Sequence, residues 1–282
     1  MSAANANPAG ESYWNSEAGR NWVSLQTLIS DVFTFVTVAT LEEAAPKRGE
    51  CIIDVGCGTG DTLLDLARAA GPSGTVIGVD VSDPMLEFAK HRVAASELKN
   101  VSFALADATS YPFLPNWADL VFSRFGVMFF DEAVKAFANI RRGMKPGGRL
   151  VFVCFRAMSE SSWYKVPIEA ARPHLPPQPV VSPDTPGMFS FANEVRLRKI
   201  LTEAGFEQIQ TKPTNLAMRG KDMEQTMTFM TQVGPVTRML ASGSEEQRRK
   251  ASEAVRAALA AGIGSDGLGL GSGLWLVSAL AP

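Results

Sequence analysis

Cys51-Ile52-Ile53-Asp54-Val55-Gly56-Cys57-Gly58-Thr59-Gly60 runs directly into Asp61-Thr62-Leu63-Leu64-Asp65-Leu66-Ala67-Arg68-Ala69-Ala70. The first five residues are a short, mostly β-branched apolar run, as a buried strand requires, and the second stretch puts Leu63, Leu64, Leu66 and Ala67 on one helical face. Between them, glycines at 56, 58 and 60 let the backbone turn tightly and approach a ligand where a Cβ would collide. The helix behind offers unpaired N–H donors to an anionic group. Strand, glycine turn and helix make half of a βαβ unit.

The alternation continues outward. Gly71-Pro72-Ser73-Gly74 ends the helix, Thr75 to Asp80 reads as the second strand, and Asp83-Pro84 opens a helix carrying Met85, Phe88, Ala89 and Val93, with Ser82 as its N-cap. Val101 to Ala106 and Ala118 to Ser123 are strands three and four. A helix from Glu132 to Met144 stops at Lys145-Pro146-Gly147-Gly148, and Arg149 to Phe155 is strand five. A helix over Glu194 to Ala204, closed by Gly205 at C′, leads to strand Glu207 to Thr211, and Leu274 to Leu280 completes the sheet. The expected fold is α/β: a doubly wound, mostly parallel seven-stranded sheet with helical N-terminal and C-terminal insertions forming a cover.

Three segments stand outside the alternation. Residues 1–45 read as an N-terminal helical cover, with Trp22, Leu25, Ile29 and Val32 at helical intervals. The rest, 46–282, is the main domain with insertions at about 156–190 and 213–272. The first insertion holds seven of the chain's 17 prolines between Pro167 and Pro186, too many for a regular element. In the second, Asp222 to Ala261 reads as two helices broken near Gly234-Pro235, forming either a lid or a dimer face, before six glycines between Gly262 and Gly273.

The composition narrows the function. With 282 residues, 46% hydrophobic and 20% charged, the chain folds around a sizeable core. A net charge of −2 and a pI near 5.8 lack the footprint of a general polyanion binder. Cys51, Cys57 and Cys154 lie in apolar runs and read as reduced thiols of a cytoplasmic protein. Met1 to Glu11 has no basic cluster followed by an apolar stretch, so no signal peptide is expected. The longest apolar run, Val32 to Leu41, is about half the ~20 residues a bilayer needs and is broken by Thr34, Thr37 and Thr40.

Twenty residues beyond Gly60, Asp80 ends the second strand, where a carboxylate can accept both hydrogen bonds of a ribose diol. A dinucleotide fingerprint would read G-x-G-x-x-G. Here the spacing is G-x-G-x-G and Asp61 comes next, a carboxylate that would repel a pyrophosphate. No G-K-[ST] follows, which excludes a phosphate-binding P-loop.

Asp54-Val55-Gly56-Cys57-Gly58-Thr59-Gly60, then Asp80, then Ala106-Asp107-Ala108, then Lys145-Pro146-Gly147-Gly148, in this order and spacing, resembles the class I S-adenosylmethionine-dependent methyltransferases. Within these the chain is most similar to the small-molecule branch that includes the ubiquinone and menaquinone biosynthesis enzymes. The resemblance implies S-adenosyl-L-methionine as cofactor and transfer of a methyl group to a small, moderately apolar metabolite. It implies that Gly56, Gly58 and Gly60 lie along the methionine part, with Asp54 supporting the turn or the ammonium. Asp80 would hold the ribose, Val81 would pack on the adenine, Asp107 and the Ala108 N–H would bind its edge, and Ser123 would face the reacting end.

Methyl transfer is an in-line displacement in which alignment and exclusion of water do most of the work. A general base is needed only for an acceptor with a tightly held proton. His174, in the proline-rich cover, and Asp131, after Phe129-Phe130, are the candidates; Asp131, just before the helix at 132, reads first as its N-cap, and His91 as a surface residue. Arg20 is a candidate partner for the methionine carboxylate by charge. Tyr13-Trp14, Trp22 and Trp163-Tyr164 are lid or packing residues. Met223, Met227 and Met230, at i, i+4 and i+7, form a core stripe or a pocket wall. The Asn/Asp-Pro-Pro-aromatic motif of amino-methylating nucleic-acid enzymes is replaced by Ser123-Arg124-Phe125-Gly126, which argues against a nucleic-acid partner. A non-catalytic cofactor-binding sensor or subunit stays as an alternative.

Overall fold

A computed structural model describes residues 10–179, 182, 185–261 and 270–282. Seven strands form one sheet: β1 Cys51–Val55, β2 Thr75–Asp80, β3 Val101–Leu105, β4 Ala118–Arg124, β5 Met144–Phe155, β6 Glu207–Met218 and β7 Leu270–Leu280. Their order is β3-β2-β1-β4-β5-β7-β6, with β7 antiparallel to both neighbours and the strands from β3 to β5 mutually parallel. β1 pairs with β2 on one side and β4 on the other, so the winding direction reverses there. In doubly wound sheets a ligand crevice opens above the carboxyl ends of such strands.

Side-chain alternation splits the core between the two faces. Ile52, Leu120 and Val151 point to one face and pack with Leu63, Leu66 and Ala67 of helix α5 (Asp61–Ala70). Their neighbours Ile53, Val121 and Phe152 join the opposite cluster with Phe137 and Ile140 of α7 (Ala133–Gly143). Helix α6 (Asp83–Ala95) packs on β3 and leaves His91 on the surface. Before the sheet come four short helices, α1 Glu11–Trp14, α2 Glu17–Ser24, α3 Gln26–Val32 and α4 Thr34–Ala44. Leu28, Ile29, Val32, Phe33 and Val36 belong to the same core cluster as the sheet, so these helices are bonded into the domain and do not merely flank it.

Several expected boundaries move. Strand β5 starts at Met144 because residues 145–148 remain in the strand as a bulge, tied by Gly147 N–H to Ala281 O (2.7 Å) and Ala281 N–H to Gly148 O (2.9 Å). Strand β6 runs to Met218, well past Thr211, and carries Pro213 without penalty because it is the sheet's edge. The second insertion therefore begins after Met218, not at 213. Pro167 lies inside helix α8 (Ser162–Ala171), where burial of Trp163, Tyr164 and Ala171 outweighs the local cost of proline. Residues Asp222 to Ala261 form three helices, α10 Met223–Gln232, α11 Thr237–Ala241 and α12 Glu245–Ala261, the extra break falling at Ser242 to Ser244. Helix α9 (Glu194–Glu203) follows the expected span, with Asn193 capping it and Gly205 in the left-handed region. Ser82 stands at the N-cap position of α6, but its hydroxyl donates to Trp14 O (2.7 Å) instead of accepting from the helix. Most of the glycine-rich stretch after Ala261 lies outside the described residues.

Candidate active site

The turn after β1 is built backbone on backbone. Gly56 N–H donates to Val79 O at 2.8 Å and Gly60 N–H to Cys57 O at 2.9 Å, folding the loop over the end of β2. Gly56 has φ +71° and lies against the loop after β4: a Cβ there would fall 2.7 Å from Gly126 Cα. Gly58, at φ +52°, is uncrowded: a Cβ there would make one ordinary contact, to Met85 Sδ at 3.7 Å. Asp80 closes the turn, accepting from Gly58 N–H (2.7 Å) and Ser82 N–H (2.8 Å). Burial raises its carboxyl above the ordinary value, and these backbone bonds oppose that rise.

Beneath the turn, Asp54 is fully buried; one oxygen accepts from Thr62 Oγ1 (2.7 Å), while the other has no partner. Burial pushes its carboxyl to about 7. Asp61 has a different environment: Arg92 Nη1 (2.5 Å) and Gln26 Nε2 (2.6 Å) donate to one oxygen, and Arg124 Nη2 lies 3.5 Å from the other. Burial alone would raise Asp61; Arg124 and Arg92, with hydrogen bonding, hold it below the usual range. The acid that breaks the dinucleotide pattern is thus a neutralised structural anchor at the start of α5.

Above the turn lies a cavity of about 390 Å³. One wall holds Gly56, Gly58, Asp80, Val81, Met85, Asp107 and Ala108; the other holds Tyr13, Trp14, Trp22, Phe33, Phe125, Phe129, Phe155, Tyr164, Met188 and Phe229. These rings lock one another: Phe125 stacks on Phe155 with centroids 4.5 Å apart and planes at 1°, and Trp14 meets Phe129 edge to face at 5.4 Å. Phe125 adopts φ +66°, a strained value for a bulky residue, directly after β4. Burial holds the Tyr164 phenol protonated well beyond neutral pH, and the buried Cys57 thiol is likewise pushed up, so neither is an anionic nucleophile.

The structure brings Gly56, Gly58, Asp80, Val81, Asp107, Ala108 and Asp131 to one cavity. Asp107 is exposed and accepts from Thr109 N–H (2.7 Å); Asp131 is exposed at the wall, and the N-cap position of α7 belongs to Glu132 instead. Asp54, Gly60 and Ser123 lie behind the lining. Gly60 packs towards Ala89, and the Ser123 hydroxyl is consumed by Val55 O (2.7 Å) and Gly126 N–H (3.1 Å), joining the two loops and not facing a ligand. Arg20 is exposed on α2 and does not line the cavity. His174 is also absent from the lining: it sits half-buried in a 3-10 turn packed on α12. Trp163 is core, and Met223, Met227 and Met230 do not reach the cavity, which settles their stripe as packing. Sequence reasoning missed Arg124, Phe125, Met85, Met188, Phe229 and Arg238. The first two could have been found from their place immediately at the carboxyl end of β4.

Residues 52–148 match the family model described as a methyltransferase domain. The demethylmenaquinone methyltransferase of Lactococcus lactis subsp. lactis is 37% identical over 114 residues, covering 40% of this chain and 45% of that protein. That of Symbiobacterium thermophilum is 44% identical over 113 residues, covering 39% and 44%. The chain thus spans less than half the length of these curated relatives. Among solved structures, a Haemonchus contortus phosphoethanolamine N-methyltransferase 2 in complex with S-adenosyl-L-methionine superposes with TM-score 0.60 at 19% identity, covering 98% of this chain and 60% of that one. The [4+2]-cyclase SpnF superposes with TM-score 0.55 at 19% identity over 95% and 97%. At such identities these two share the fold. The glycine turn and the β2 acid lie inside the matched segment: residues 52–148 are similar to the methyltransferase domain of these quinone-biosynthesis enzymes, and the chain shares its fold with solved methyltransferases.

Proposed function

We propose that the cavity binds S-adenosyl-L-methionine and that the protein transfers its methyl group to a small, moderately apolar acceptor. The observation that carries this reading is the opening of the Gly56–Gly58 cradle and the Asp80 carboxylate into the same cavity as the aromatic wall. The residues fit an adenosyl amino acid. Gly56 and Gly58 line the cavity in left-handed turns, Asp80 supplies an acceptor carboxyl beside them, and Asp107 with Ala108 stands at the adjacent strand end. The cofactor when bound would supply a methyl group activated by its sulfonium. This chain's residues would do the rest: the rings hold a flat acceptor in line, exclude water, and stabilise nearby positive charge by ~0.5–2 kcal/mol per ring face.

Asp131, exposed at the cavity wall, is a carboxylate available for an acceptor that must lose a tightly held proton; His174, which does not line the cavity, is not assigned to that task. A small-molecule acceptor is favoured over nucleic acid by the net charge of −2 and by the enclosure of the cavity by α1, α2 and α10, which acts as a lid. A copy-to-copy interface is not needed to complete the site. No helix among the described residues is long and apolar enough to cross a membrane.

The shared fold of a cyclase shows that architecture alone does not decide chemistry. Calorimetry with S-adenosylhomocysteine and with NAD tests the first half: binding of the former alone is expected, with Asp80→Ala weakening it more than about tenfold. A metabolite-extract screen for mass gains of one methyl group tests the second. Binding without any methylated product would leave a cofactor-holding protein, and no binding would remove both halves.

A further inference from the structure

We propose that the Tyr164 hydroxyl donates a hydrogen bond to an oxygen of the methyl acceptor and so selects an oxygen-bearing molecule over its hydrocarbon counterpart. This rests on the reading of the ring-lined part of the cavity as the acceptor's place. The buried side chains of that wall are Phe33, Phe125, Met128, Phe155, Phe229 and Tyr164, and of these only Tyr164 carries a hydroxyl. Apolar pockets orient a ligand through a small number of placed polar groups, and Tyr164 is such a group.

The fold fixes this side chain from three sides. Tyr164 lies in the first turn of α8, where its N–H donates to Ser161 O (3.1 Å) and the Ser161 hydroxyl meets that of Ser272 on β7 (2.7 Å). Its ring meets Phe155 edge to face at 4.9 Å and Phe189 at 5.6 Å. Phe155 in turn stacks on Phe125, whose neighbour Gly126 abuts Gly56 of the glycine turn. Tyr164 thus stands two ring contacts away from the cradle, on the acceptor's side. It is only 3% exposed, and its hydroxyl makes no hydrogen bond among the described residues. Unlike Nε1 of the adjacent Trp163, which is fully enclosed without a partner, the hydroxyl keeps surface on the cavity that the residue lines. Burial holds the phenol protonated, so it acts as a donor and not as a base. An acceptor oxygen would pair this donor, whereas an analogue without the oxygen would leave it unpaired in an apolar chamber.

Calorimetric titration of 1-tetralone and of tetralin into wild type, Tyr164→Phe and Tyr13→Phe tests the assignment. The two bicyclic probes differ by one carbonyl oxygen, and retained binding of tetralin reports that a variant is folded. Tyr164→Phe is expected to weaken 1-tetralone roughly tenfold, the scale of one hydrogen bond in an apolar site, while changing tetralin less than about twofold. Because the substitution removes no hydrogen bond within the protein, its melting temperature should equal or exceed that of wild type. Equal losses for both probes, no loss, binding of neither probe by wild type, or the selective loss appearing in Tyr13→Phe instead would overturn the role of Tyr164. So would a melting temperature lowered by more than about 5 °C, which would mark the hydroxyl as part of the protein's own bonding. Failure of wild type to bind S-adenosylhomocysteine, titrated separately, would overturn the adenosyl reading and the inference resting on it. Normal binding of that ligand with an unchanged ratio of probe affinities in Tyr164→Phe would overturn the Tyr164 assignment alone.

Discussion

At the scale of residues, Asp54 shows how burial makes an acid beneath the glycine turn a source of pH-dependent stability. Its folded pKa near 7 lies above the usual 3.8, so between these values the folded state holds a proton that the unfolded chain has released. Stability contributed at this site is therefore full below pH 4, falls as pH rises towards 7, and is flat above. The span has an upper size of about 4 kcal/mol at ~1.4 kcal/mol per unit. Asp54→Asn keeps an acceptor for Thr62 and removes the titration. Unfolding free energies from urea titrations should shift in favour of the variant by a few kcal/mol between pH 4.5 and pH 8; a pH-independent difference would contradict this. The glycines behave differently from one another. Gly126→Ala places a Cβ 2.6 Å from Val55 O and 2.8 Å from Gly56 Cα, both backbone, so a loss of about 1–3 kcal/mol and impaired S-adenosylhomocysteine binding are expected. Gly58→Ala has room and meets only the left-handed backbone penalty, about 1–2 kcal/mol. Thermal melts and calorimetry on both variants separate crowding from conformation.

At the scale of elements, the decisive joint is between α1 and the end of β2. Asn15 Nδ2 donates to Val81 O (2.8 Å), Asp83 N–H donates to Asn15 Oδ1 (2.9 Å), and Ser82 Oγ donates to Trp14 O (2.7 Å). These bonds clip a four-residue helix, too short to persist alone, over the rim of the cavity. Asn15→Ala should speed amide exchange across residues 11–24 and raise the dissociation rate of S-adenosylhomocysteine several-fold, with a change in melting temperature of only a few degrees. Unchanged exchange in that segment would mean that the rings of Trp14 and Trp22, not the clip, hold the lid. This joint was illegible in the sequence. Asn15 and Val81 are 66 positions apart, and nothing about either residue type announces the partner. By contrast β1, α5 and β2 were legible to the residue, because each has a clean period bounded by glycine or proline.

For the whole molecule, the N-terminal helices, the sheet and α10 to α12 share one core cluster: Phe33 packs with both Phe125 and Phe229. A lid that shares its core with the sheet unfolds with it. Calorimetric melting should show one transition, raised by S-adenosylhomocysteine, with about 2.7 kcal/mol of added stability at a hundredfold excess over Kd. A separate low-temperature transition for the helices, insensitive to the ligand, would break that expectation.

The chain's own order of residues determined the seven strands, the glycine cradle and Asp80, since each follows from local periodicity and from backbone freedom confined to a few glycines. Tertiary structure alone decided which side chains face the cavity. It withdrew Ser123 and Gly60 into loop packing, left Arg20 and His174 outside, and brought in Arg124, Phe125 and Phe229. The reason is physical: a strand or helix period says which face is buried, but only the packing of distant segments determines whether a buried face meets another side chain or an open space.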